Sequence, residues 1–273
     1  MASVSPWALI LGASSGFGEA TSLELARTGY HIFGVHLDLR ATLPNAQRIQ
    51  EEIRSLGREA LFFNVNAADA EKRASVIEAI EERLRQDGDE AFVRVFLHSL
   101  AFGTLLPYIA ARPAGKADSP KNAISQKQME MTVDVMGHSL VYWVQGLVAR
   151  NLMRRGSRIF AMTSSGSTRV IRSYGAISAA KAALESHIRQ LAFELAPLGI
   201  TANAIRAGVT DTPALRRIPE GPELLARLRE RHPAGRTTTP QDVARAIAAL
   251  ADERLEWMTG NVIGVDGGED LTA

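Results

Sequence analysis

Three closely spaced glycines follow a short apolar run near the start of the chain. The run, residues 8–11, has the length of a buried strand, and the glycines are Gly12, Gly16 and Gly18. Glycine allows the backbone to turn sharply and to approach a bound phosphate closely. A helix that begins at Gly18 would present free N–H groups and about half a positive charge to an anion. This segment therefore predicts a strand, a tight turn and a helix, the arrangement that binds a dinucleotide.

The spacing of these glycines is G-x-x-x-G-x-G, whereas the commoner dinucleotide-binding pattern is G-x-G-x-x-G. A glycine-rich turn without a ligand would have the same composition. Because the glycines come directly after the first strand and open a helix, the binding interpretation is favoured over that alternative. The residues predicted to contact the pyrophosphate are Gly12, Ser14, Ser15, Gly16, Phe17 and Gly18.

Short apolar runs alternate with amphipathic helical stretches along the chain. The predicted strands are residues 8–11, 31–35, 60–65, 93–98, 158–162, 201–205 and 262–265. The predicted helices include residues 18–28, 46–56, 70–86, 174–195 and 240–250. Alternation at this spacing is typical of βαβ units in a parallel sheet covered on both faces by helices. The sequence therefore predicts an α/β fold, a single Rossmann domain over residues 1–273 with a doubly wound parallel sheet of about seven strands.

The composition limits the possible partners. Of the 273 residues, 46% are hydrophobic and 22% are charged, which is ordinary for a globular protein with a substantial core. The formal net charge of +1 gives no reason to expect nucleic acid or an anionic membrane as a partner. There is no cysteine, so disulfides and thiolate chemistry are excluded. No signal-peptide pattern precedes the first strand, so we expect a cytoplasmic location, and we expect no bound metal.

Four motifs occur in a fixed order along the chain. They are the glycine loop, residues 98–101, the pair Tyr174 and Lys181, and residues 259–268. This set resembles the short-chain dehydrogenase/reductase superfamily over nearly the whole chain, and the resemblance implies a nicotinamide dinucleotide as cofactor. The further cofactor contacts that it implies are Asn64 and Val65 at the end of the third strand, Ser99, Leu100 and Ala101 after the fourth, Lys181, and Gly208, Val209 and Thr212 after the sixth.

The helix predicted over residues 174–195 carries Tyr174 seven residues before Lys181. Ordinary members of the superfamily place the tyrosine four residues before the lysine, where this chain has Ile177. Both spacings put the two side chains on one helical face, because four and seven residues each complete nearly whole turns. The longer spacing resembles that of the enoyl-acyl-carrier-protein reductases, which reduce a carbon–carbon double bond conjugated to a thioester. Two unrelated surface residues are the alternative, and the small residues around Tyr174 argue against it.

Further features bear on this branch of the superfamily. Residues 98–102, His-Ser-Leu-Ala-Phe, are similar to its His-Ser-Ile-Gly-Phe run, and Asp134 stands where ordinary members have an asparagine. Ser164 is at the position of the superfamily's catalytic serine, where many enoyl reductases have a second tyrosine. The ordinary glycine loop combined with the seven-residue spacing resembles a less common, NADPH-linked enoyl reductase group. We expect His98 to have a structural role on the cofactor side rather than to act as a base.

The end of the second strand bears on the choice between NADH and NADPH. A carboxylate there can hold the adenosine ribose hydroxyls of NAD and would repel the 2′-phosphate of NADP. The usual acidic position is His36, followed by Asp38 and Arg40. His36 and Arg40 could contact a 2′-phosphate, whereas Asp38 opposes it if its side chain turns inward. Solvated loop charges are an equally good interpretation of Asp38 and of Arg40. Together these residues favour NADPH over NADH.

Two segments are expected to shape the substrate site. Residues 103–122 contain three prolines and two glycines and predict a long loop after the fourth strand, at the sheet edge where α/β proteins bind ligands. Residues 208–232 follow the sixth strand and, by the family resemblance, form a lid over the substrate. Within the lid, Leu215 and Ile218 are candidates for lining an acyl pocket, although core packing is the more ordinary role of such side chains.

The resemblance implies an oxidoreductase that transfers hydride to the β-carbon of an enoyl thioester. Tyr174 would donate to the thioester oxygen, Lys181 would hold the nicotinamide ribose, and Ser164 would be a second donor or would orient Tyr174. An ordinary carbonyl or alcohol oxidoreductase is one alternative, against which Ile177 argues, and a non-enzymatic dinucleotide-binding protein is another. The acyl carrier (acyl-carrier protein or coenzyme A) and the pathway, fatty acid biosynthesis or a specialised one, stay open. The family implies a homotetramer built through the long catalytic helices and the last strand.

Overall fold

The computed structural model describes residues 6–110, 123–218 and 221–271, which form one seven-stranded sheet in the order β3-β2-β1-β4-β5-β6-β7. The strands are β1 (Trp7–Leu11), β2 (His31–His36), β3 (Ala60–Asn64), β4 (Val93–His98), β5 (Arg158–Thr163), β6 (Thr201–Ala207) and β7 (Val262–Val265). Every neighbouring pair is parallel. The strand order reverses between β1 and β4, and sheets of this kind bind ligands at the carboxyl ends of such strands. The predicted Rossmann-type fold is confirmed.

Helices connect the strands. They are α1 (Gly16–Arg27), α2 (Leu43–Ser55), α3 (Ala70–Asp87), α4 (Gln126–Val133), α5 (Ser139–Ala149), α6 (Gly175–Leu195), α7 (Gly221–Arg231) and α8 (Pro240–Leu250). A π-helical segment, Asp134–His138, joins α4 directly to α5. Capping boxes fix the first turns of α4, through Ser125 and Gln128, and of α8, through Thr239 and Asp242. Helices α4, α5 and α7 are additions to the predicted elements.

Apolar side chains cover both faces of the sheet. Along β1, Trp7, Leu9 and Leu11 point to the face covered by α3, α5 and α6. Ala8 and Ile10 point to the opposite face, which α1, α2 and α8 cover. All five side chains are completely buried. Burial on both faces explains why β1 appears in the sequence as a continuous apolar run rather than an alternating one.

The π-helical segment lets the α4–α5 helix serve two different surroundings. Within the segment, Val135 and Met136 pack in an apolar cluster with Tyr174. Beyond it, Leu140 and Trp143 lie in the main core beneath the sheet. Short π-helical stretches are uncommon and are often found near functional sites. Here the stretch connects the core to the surroundings of the predicted catalytic tyrosine.

The predicted loop and lid are described in part. Residues 103–110 contain no helix or strand, and residues 111–122 lie outside the described residues. The lid contains a short 3-10 turn, Leu215–Arg217, and α7, with residues 219–220 again outside the description. The bounds of both segments therefore stay predictions. No helix of the described ranges is long and apolar enough to cross a membrane, and no three His, Cys, Asp or Glu side chains in those ranges could together hold a metal ion.

Candidate active site

The glycine loop lies between β1 and α1. Gly12 has a φ of +86°, and its N–H donates to the Val35 carbonyl oxygen at 2.8 Å. A Cβ on Gly12 would collide with the carbonyl oxygen of Ser99, and a Cβ on Gly18 would collide with the carbonyl oxygen of Gly12. Both positions therefore require glycine, because the loop backbone packs directly against the residue after β4 and against the first turn of α1.

Helix α1 begins at Gly16, two residues before its predicted start, and Ser15 is its N-cap. The Ser15 side chain makes no capping hydrogen bond, so it leaves the first N–H groups of the helix for another acceptor. A Cβ on Gly16 would lie 3.6 Å from Cγ2 of Thr212, which follows β6. The residues predicted for the pyrophosphate and for the nicotinamide end of the cofactor therefore meet. Phe17 packs on the apolar cluster beneath α1.

The residues after β2 present a carboxylate beside the glycine loop. The Asp38 side chain is turned inward and only 10% exposed, with Oδ2 2.7 Å from His36 Nδ1. Burial acts to raise the pKa of Asp38, but hydrogen bonds from Ser14, Thr42 and His36 outweigh it and hold the pKa below its usual value. An ionised carboxylate therefore lies in hydrogen-bond contact with a residue that is predicted to bind phosphate.

His36 does not have the surroundings expected of a phosphate ligand. It is buried, and its ring is paired with Asp38. A buried polar ring needs a hydrogen-bond partner, and the Asp38 carboxylate is that partner. The contact between His36 and a 2′-phosphate stays a prediction, and the pairing with Asp38 argues against it. Arg40 is exposed, and its contact with the cofactor stays a prediction.

Asn64 braces the same region. Its side-chain oxygen accepts the Asp38 N–H at 2.9 Å, and its side-chain nitrogen donates to the Asp38 carbonyl oxygen at 2.9 Å. The N–H of the next residue, Val65, donates to the His36 carbonyl oxygen at 2.8 Å. These bonds fix the backbone around Asp38, while the adenine contacts of Asn64 and Val65 stay predictions.

Lys181 is buried on α6 and reaches the ends of two strands. Its Nζ donates to the Met162 carbonyl oxygen at 2.7 Å and lies 3.5 Å from the Leu100 carbonyl oxygen. Met162 belongs to β5 and Leu100 follows β4, so the amine lies at the carboxyl edge of the sheet. Burial lowers the pKa of Lys181 to about 8, and the Glu185 carboxylate acts in the opposite direction. The amine is therefore mostly protonated at neutral pH.

Tyr174 is the N-cap residue of α6 and is 9% exposed. The preceding residue, Ser173, has a φ of +59°, a left-handed conformation that is uncommon outside glycine. The phenol ring lies so close to Gly166 that a Cβ there would be 2.6 Å from Tyr174 Cε1. Burial raises the pKa of the phenol, and its hydrogen bond with Ser164 opposes the rise. The structure thus brings Tyr174 and Ser164 together and keeps the phenol protonated.

Apolar side chains form a wall around Tyr174. The buried members of this cluster are Val135, Met136, Ile177 and Ala180, and residues packed against it include Leu105, Met131, Ile171 and Ile218. Ile177, four residues before Lys181, therefore faces an apolar wall, and a Cβ on Gly103 would lie 3.0 Å from its Cγ1. Ile218 brings the lid into contact with this wall, whereas Leu215 is half-buried outside the cluster.

His98 is completely buried at the end of β4, with Nε2 2.8 Å from Ser139 Oγ. Burial, and then the positive charge of Lys181, lowers the pKa of His98 to about 3. A neutral ring without access to solvent has the properties of the expected structural residue and not those of a base. Asp134 opens the π-helical segment and is half-buried.

The turn after β6 is held by Glu269, which was not a candidate residue. The Val209 N–H donates to the carboxylate, 2.9 Å from Oε2, and Glu269 is 5% exposed. A Cβ on Gly208 would lie 2.9 Å from the same oxygen, and burial raises the pKa of this carboxyl. The sequence feature that could have indicated Glu269 is its position as a charged residue directly after Gly267 and Gly268.

Tyr108 is a second phenol beside the site, and nothing in the sequence singled it out. Its ring lies over Gly175, where a Cβ would be 2.8 Å from the Tyr108 hydroxyl oxygen. Because Gly175 directly follows Tyr174, this contact places the segment after β4 at the start of α6. Tyr108 is 51% exposed, so its ring faces both the helix and solvent.

Comparison with known proteins places the chain in a family. A family model described as enoyl-(acyl carrier protein) reductase matches residues 12–269. The 1-cyclohexenylcarbonyl-CoA reductase of Streptomyces collinus is 28% identical over 97% of this chain and 87% of its own length. The 3-oxoacyl-[acyl-carrier-protein] reductase of Pseudomonas aeruginosa is 28% identical over 96% of each chain.

The fold is also similar to that of a solved enoyl reductase. The enoyl-[acyl-carrier-protein] reductase (NADH) from Aquifex aeolicus VF5 aligns with a TM-score of 0.80 at 22% identity, over 97% of this chain and 96% of that one. At this identity the likeness shows the fold, and the family model carries the assignment. The chain is therefore an oxidoreductase of the short-chain dehydrogenase/reductase superfamily and belongs to its enoyl-(acyl carrier protein) reductase family.

Proposed function

We propose that this protein reduces the carbon–carbon double bond of an enoyl thioester with a nicotinamide dinucleotide. The observation that carries the proposal is the buried phenol of Tyr174 set one helical turn before Ile177, whose apolar side chain occupies the place of the usual tyrosine. Ile177 has no group that could donate to a substrate oxygen, so Tyr174 is the donor. The Streptomyces collinus relative adds support, since its name describes reduction of a ring alkene conjugated to a thioester.

The residues at the carboxyl edge of the sheet fit a dinucleotide. Gly12 and Gly18 allow no side chain, and the first turn of α1 has no side-chain cap, so the loop offers backbone N–H groups to the pyrophosphate. In this proposal Lys181 holds the nicotinamide ribose hydroxyls, and Val209 and Thr212 border the carboxamide end. When bound, the cofactor supplies the hydride that is added to the β-carbon of the substrate.

Tyr174 donates a hydrogen bond to the thioester oxygen. Negative charge develops on that oxygen as the β-carbon accepts hydride, and a donor already aimed at the growing charge stabilises the transition state. Burial holds the pKa of the phenol above its usual value, so Tyr174 meets the substrate as an O–H donor. The proton does not have to leave the phenol for this role, and the α-carbon takes up a proton from solvent to complete the reduction.

Ser164 orients the phenol. Its Oγ accepts the Gly166 N–H at 3.1 Å, and the side chain is hydrogen-bonded to Tyr174. In the proposed arrangement the serine O–H donates to the phenol oxygen. The phenol's own O–H is then left for the substrate. Of the two roles left open for Ser164, these contacts support the orienting one.

We infer a preference for NADH, in contrast to the sequence-based expectation of NADPH. The ionised Asp38 carboxylate is turned inward and bonded to Ser14, which is the condition under which it opposes a 2′-phosphate. It offers an acceptor to the adenosine ribose hydroxyls of NADH instead. His36, expected to favour the phosphate, is engaged by the same carboxylate.

Apolar side chains around the site support an acyl substrate on a carrier. Phe102, Tyr108 and Ile109 after β4, and Val170 before α6, are each more than half exposed. They belong to the two segments that border Tyr174, and exposed apolar groups of this kind mark sites for ligands or partners. A carrier-bound acyl thioester, presented from solvent, is the proposed partner.

We also propose that the protein forms a homotetramer. Phe193 on α6 and Trp257 just before β7 are 79% and 95% exposed. They lie on or next to the long helix and the last strand, the elements through which the family resemblance implies assembly. Light scattering after gel filtration tests this assembly, and a monomer at micromolar concentration would contradict it.

A steady-state screen tests the reaction. Crotonyl-CoA, 1-cyclohexenylcarbonyl-CoA, acetoacetyl-CoA and cyclohexanone are each offered with NADH and with NADPH. We expect NADH oxidation with the two enoyl thioesters and none above background with the two carbonyl compounds. Turnover confined to acetoacetyl-CoA or cyclohexanone would replace the proposal with carbonyl reduction, the activity in the Pseudomonas aeruginosa relative's name. The double variant Tyr174→Phe/Lys181→Ala, purified identically, supplies the background rate.

A further inference from the structure

A carboxylate lies one helical turn after the catalytic lysine. Residues four apart on a helix lie on the same side of it, so Glu185 shares with Lys181 the side of α6 that packs against β5. The Glu185 Oε1 accepts a hydrogen bond from Thr163 Oγ1 at 2.6 Å. This contact fixes the carboxylate on the side of the helix where the amine lies.

The two side chains bind consecutive residues of the same strand. Lys181 donates to the Met162 carbonyl oxygen at 2.7 Å, and Glu185 accepts from the side chain of Thr163. The end of β5 therefore holds the amine and the carboxylate in a fixed relation. A solvated glutamate could turn away from the lysine, whereas this one is tied to a buried threonine.

The other elements packed around Lys181 supply little charge. Strand β4 presents His98, which is neutral because its pKa is lowered to about 3, and β5 presents a carbonyl and a hydroxyl. The π-helical segment packed against α6 carries Asp134 and His138. The ring of His138 is 2.9 Å from the ring of His187, further along α6. Among the described residues, the charged group whose field raises the pKa of Lys181 is Glu185.

We propose that Glu185 is a positioning residue that keeps Lys181 protonated and thereby sets the upper pH limit of cofactor binding. The inference rests on the proposed role of Lys181 in holding the nicotinamide ribose, and it does not depend on which substrate is reduced. Burial alone disfavours the ammonium, and Glu185 compensates with a negative charge held one helical turn away by Thr163.

The size of the effect follows from the titration of Lys181. Burial lowers its pKa to about 8 even with Glu185 present. Loss of the Glu185 carboxylate is expected to lower the pKa of Lys181 by about one further unit. The protonated fraction at pH 7.5 would then fall about threefold, and the affinity for the dinucleotide would fall with it.

Fluorescence titration of the full-length protein with NADH between pH 6 and pH 9.5 tests the proposal. For the wild type, we expect the dissociation constant to rise above about pH 8, where Lys181 loses its proton. For Glu185→Gln, which keeps the shape of the side chain, the rise should begin about one pH unit lower. Thr163→Val, which removes only the tether, should shift the midpoint in the same direction by less.

Two further variants separate this role from a structural one. Glu185→Asp retains the charge and should return the midpoint towards the wild-type value. Glu194→Gln removes a carboxylate from the exposed side of the same helix and should leave the midpoint unchanged. A merely structural role would weaken binding equally at every pH without moving the midpoint.

The outcomes distinguish this inference from the proposed reaction. An unshifted midpoint in Glu185→Gln overturns the inference, whether or not enoyl thioesters are reduced. A shifted midpoint in a protein that reduces no enoyl thioester supports the inference and overturns the reaction. Failure to bind NADH or NADPH at any pH overturns both, because the role of Lys181 in holding the cofactor would then be absent.

Discussion

Around β1 and β2 the candidate site is built mainly from backbone, whereas around β5 and α6 it is built from side chains. At Gly12 and Gly18 the chain itself occupies the space that a Cβ would need. At Tyr174 and Lys181 the site depends on a phenol, an amine and the groups bonded to them. Asp38 is the exception in the cofactor half, since the proposed choice between NADH and NADPH depends on its side-chain carboxylate.

This difference indicates which half of the molecule can change its chemistry. Where backbone atoms make the contact, there is no room for any side chain, so no other residue can replace the glycines of the loop. A contact made by a side chain can move along a helix, and here the phenol lies one turn earlier, with Ile177 in the place it would otherwise occupy. One sheet can therefore keep its cofactor while its reaction changes.

The largest effect is expected from Gly12→Ala, which tests the backbone half. Its Cβ would collide with the Ser99 carbonyl oxygen at a residue whose φ is +86°. We expect a loss of about 2–5 kcal/mol in the free energy of unfolding and no measurable NADH binding. Thermal unfolding and NADH titration measure the two effects.

Gly29→Ala is the matched control for that substitution. Gly29 also has a positive φ, +107°, but a Cβ there would meet no atom within 4 Å. It should cost only the conformational strain, about 1–2 kcal/mol, and leave NADH affinity intact. Equal losses in the two variants would mean that conformation, and not close packing of the backbone, explains Gly12.

Tyr174→Phe tests the side-chain half. Removal of the phenol hydroxyl takes away the donor to the thioester oxygen and should lower kcat by about 10²–10³-fold. The NADH dissociation constant should stay within about twofold of the wild-type value, because binding depends on the loop and Lys181. Retention of full turnover would remove Tyr174 from the mechanism. Tyr142→Phe, an exposed tyrosine on α5, serves as the control.

Asp38→Asn tests the exception in the cofactor half. Removal of the inward charge should raise kcat/KM with NADPH by about tenfold or more relative to NADH, because repulsion of a 2′-phosphate is lost. Arg40→Ala is the companion variant. If Asp38 decides the preference, removal of the exposed Arg40 side chain should leave the ratio of kcat/KM with NADPH to that with NADH unchanged. A fall in NADPH activity confined to Arg40→Ala would support the sequence-based preference for NADPH.

The smallest effect is expected from Ser173→Gly. Ser173 has a φ of +59° directly before Tyr174, so glycine should relieve backbone strain. The greater entropy of glycine in the unfolded chain offsets part of this gain, which leaves a net stabilisation of about 0.5 kcal/mol. A rise of about 1–2 °C in Tm with unchanged kcat is the expected result. Asn151→Gly, at φ +55° and remote from the site, is the control, and a drop in kcat confined to Ser173→Gly would show that the strain orients the phenol.

The fold could be predicted closely because its strands are short apolar runs between helical patterns. The bounds of β4, β7 and α8 agree with the predicted ones at both ends. Helix α1 begins two residues earlier than predicted because Ser15 is its N-cap. Helices α4 and α5 were not predicted, since the π-helical segment interrupts their periodicity and α5 is apolar on most of its surface.

The candidate site could be predicted where spacing along one element decides it, as for Tyr174 and Lys181. It could not be predicted where the direction of one side chain decides it. Asp38 either faces solvent or turns towards Ser14, and only the hydrogen bonds around it distinguish the two. Glu269 comes from a distant part of the chain, and its contact with Val209 depends on how β7 ends.

The π-helical segment Asp134–His138 bears on how this chain can vary in evolution. Deletion of one residue there would restore a regular α-helix but would rotate everything after it by about 100° relative to everything before. Leu140 and Trp143 could then no longer enter the core while Met131 stays beside the tyrosine. A change of length at this point would therefore alter the packing around Tyr174 as well as that of the core.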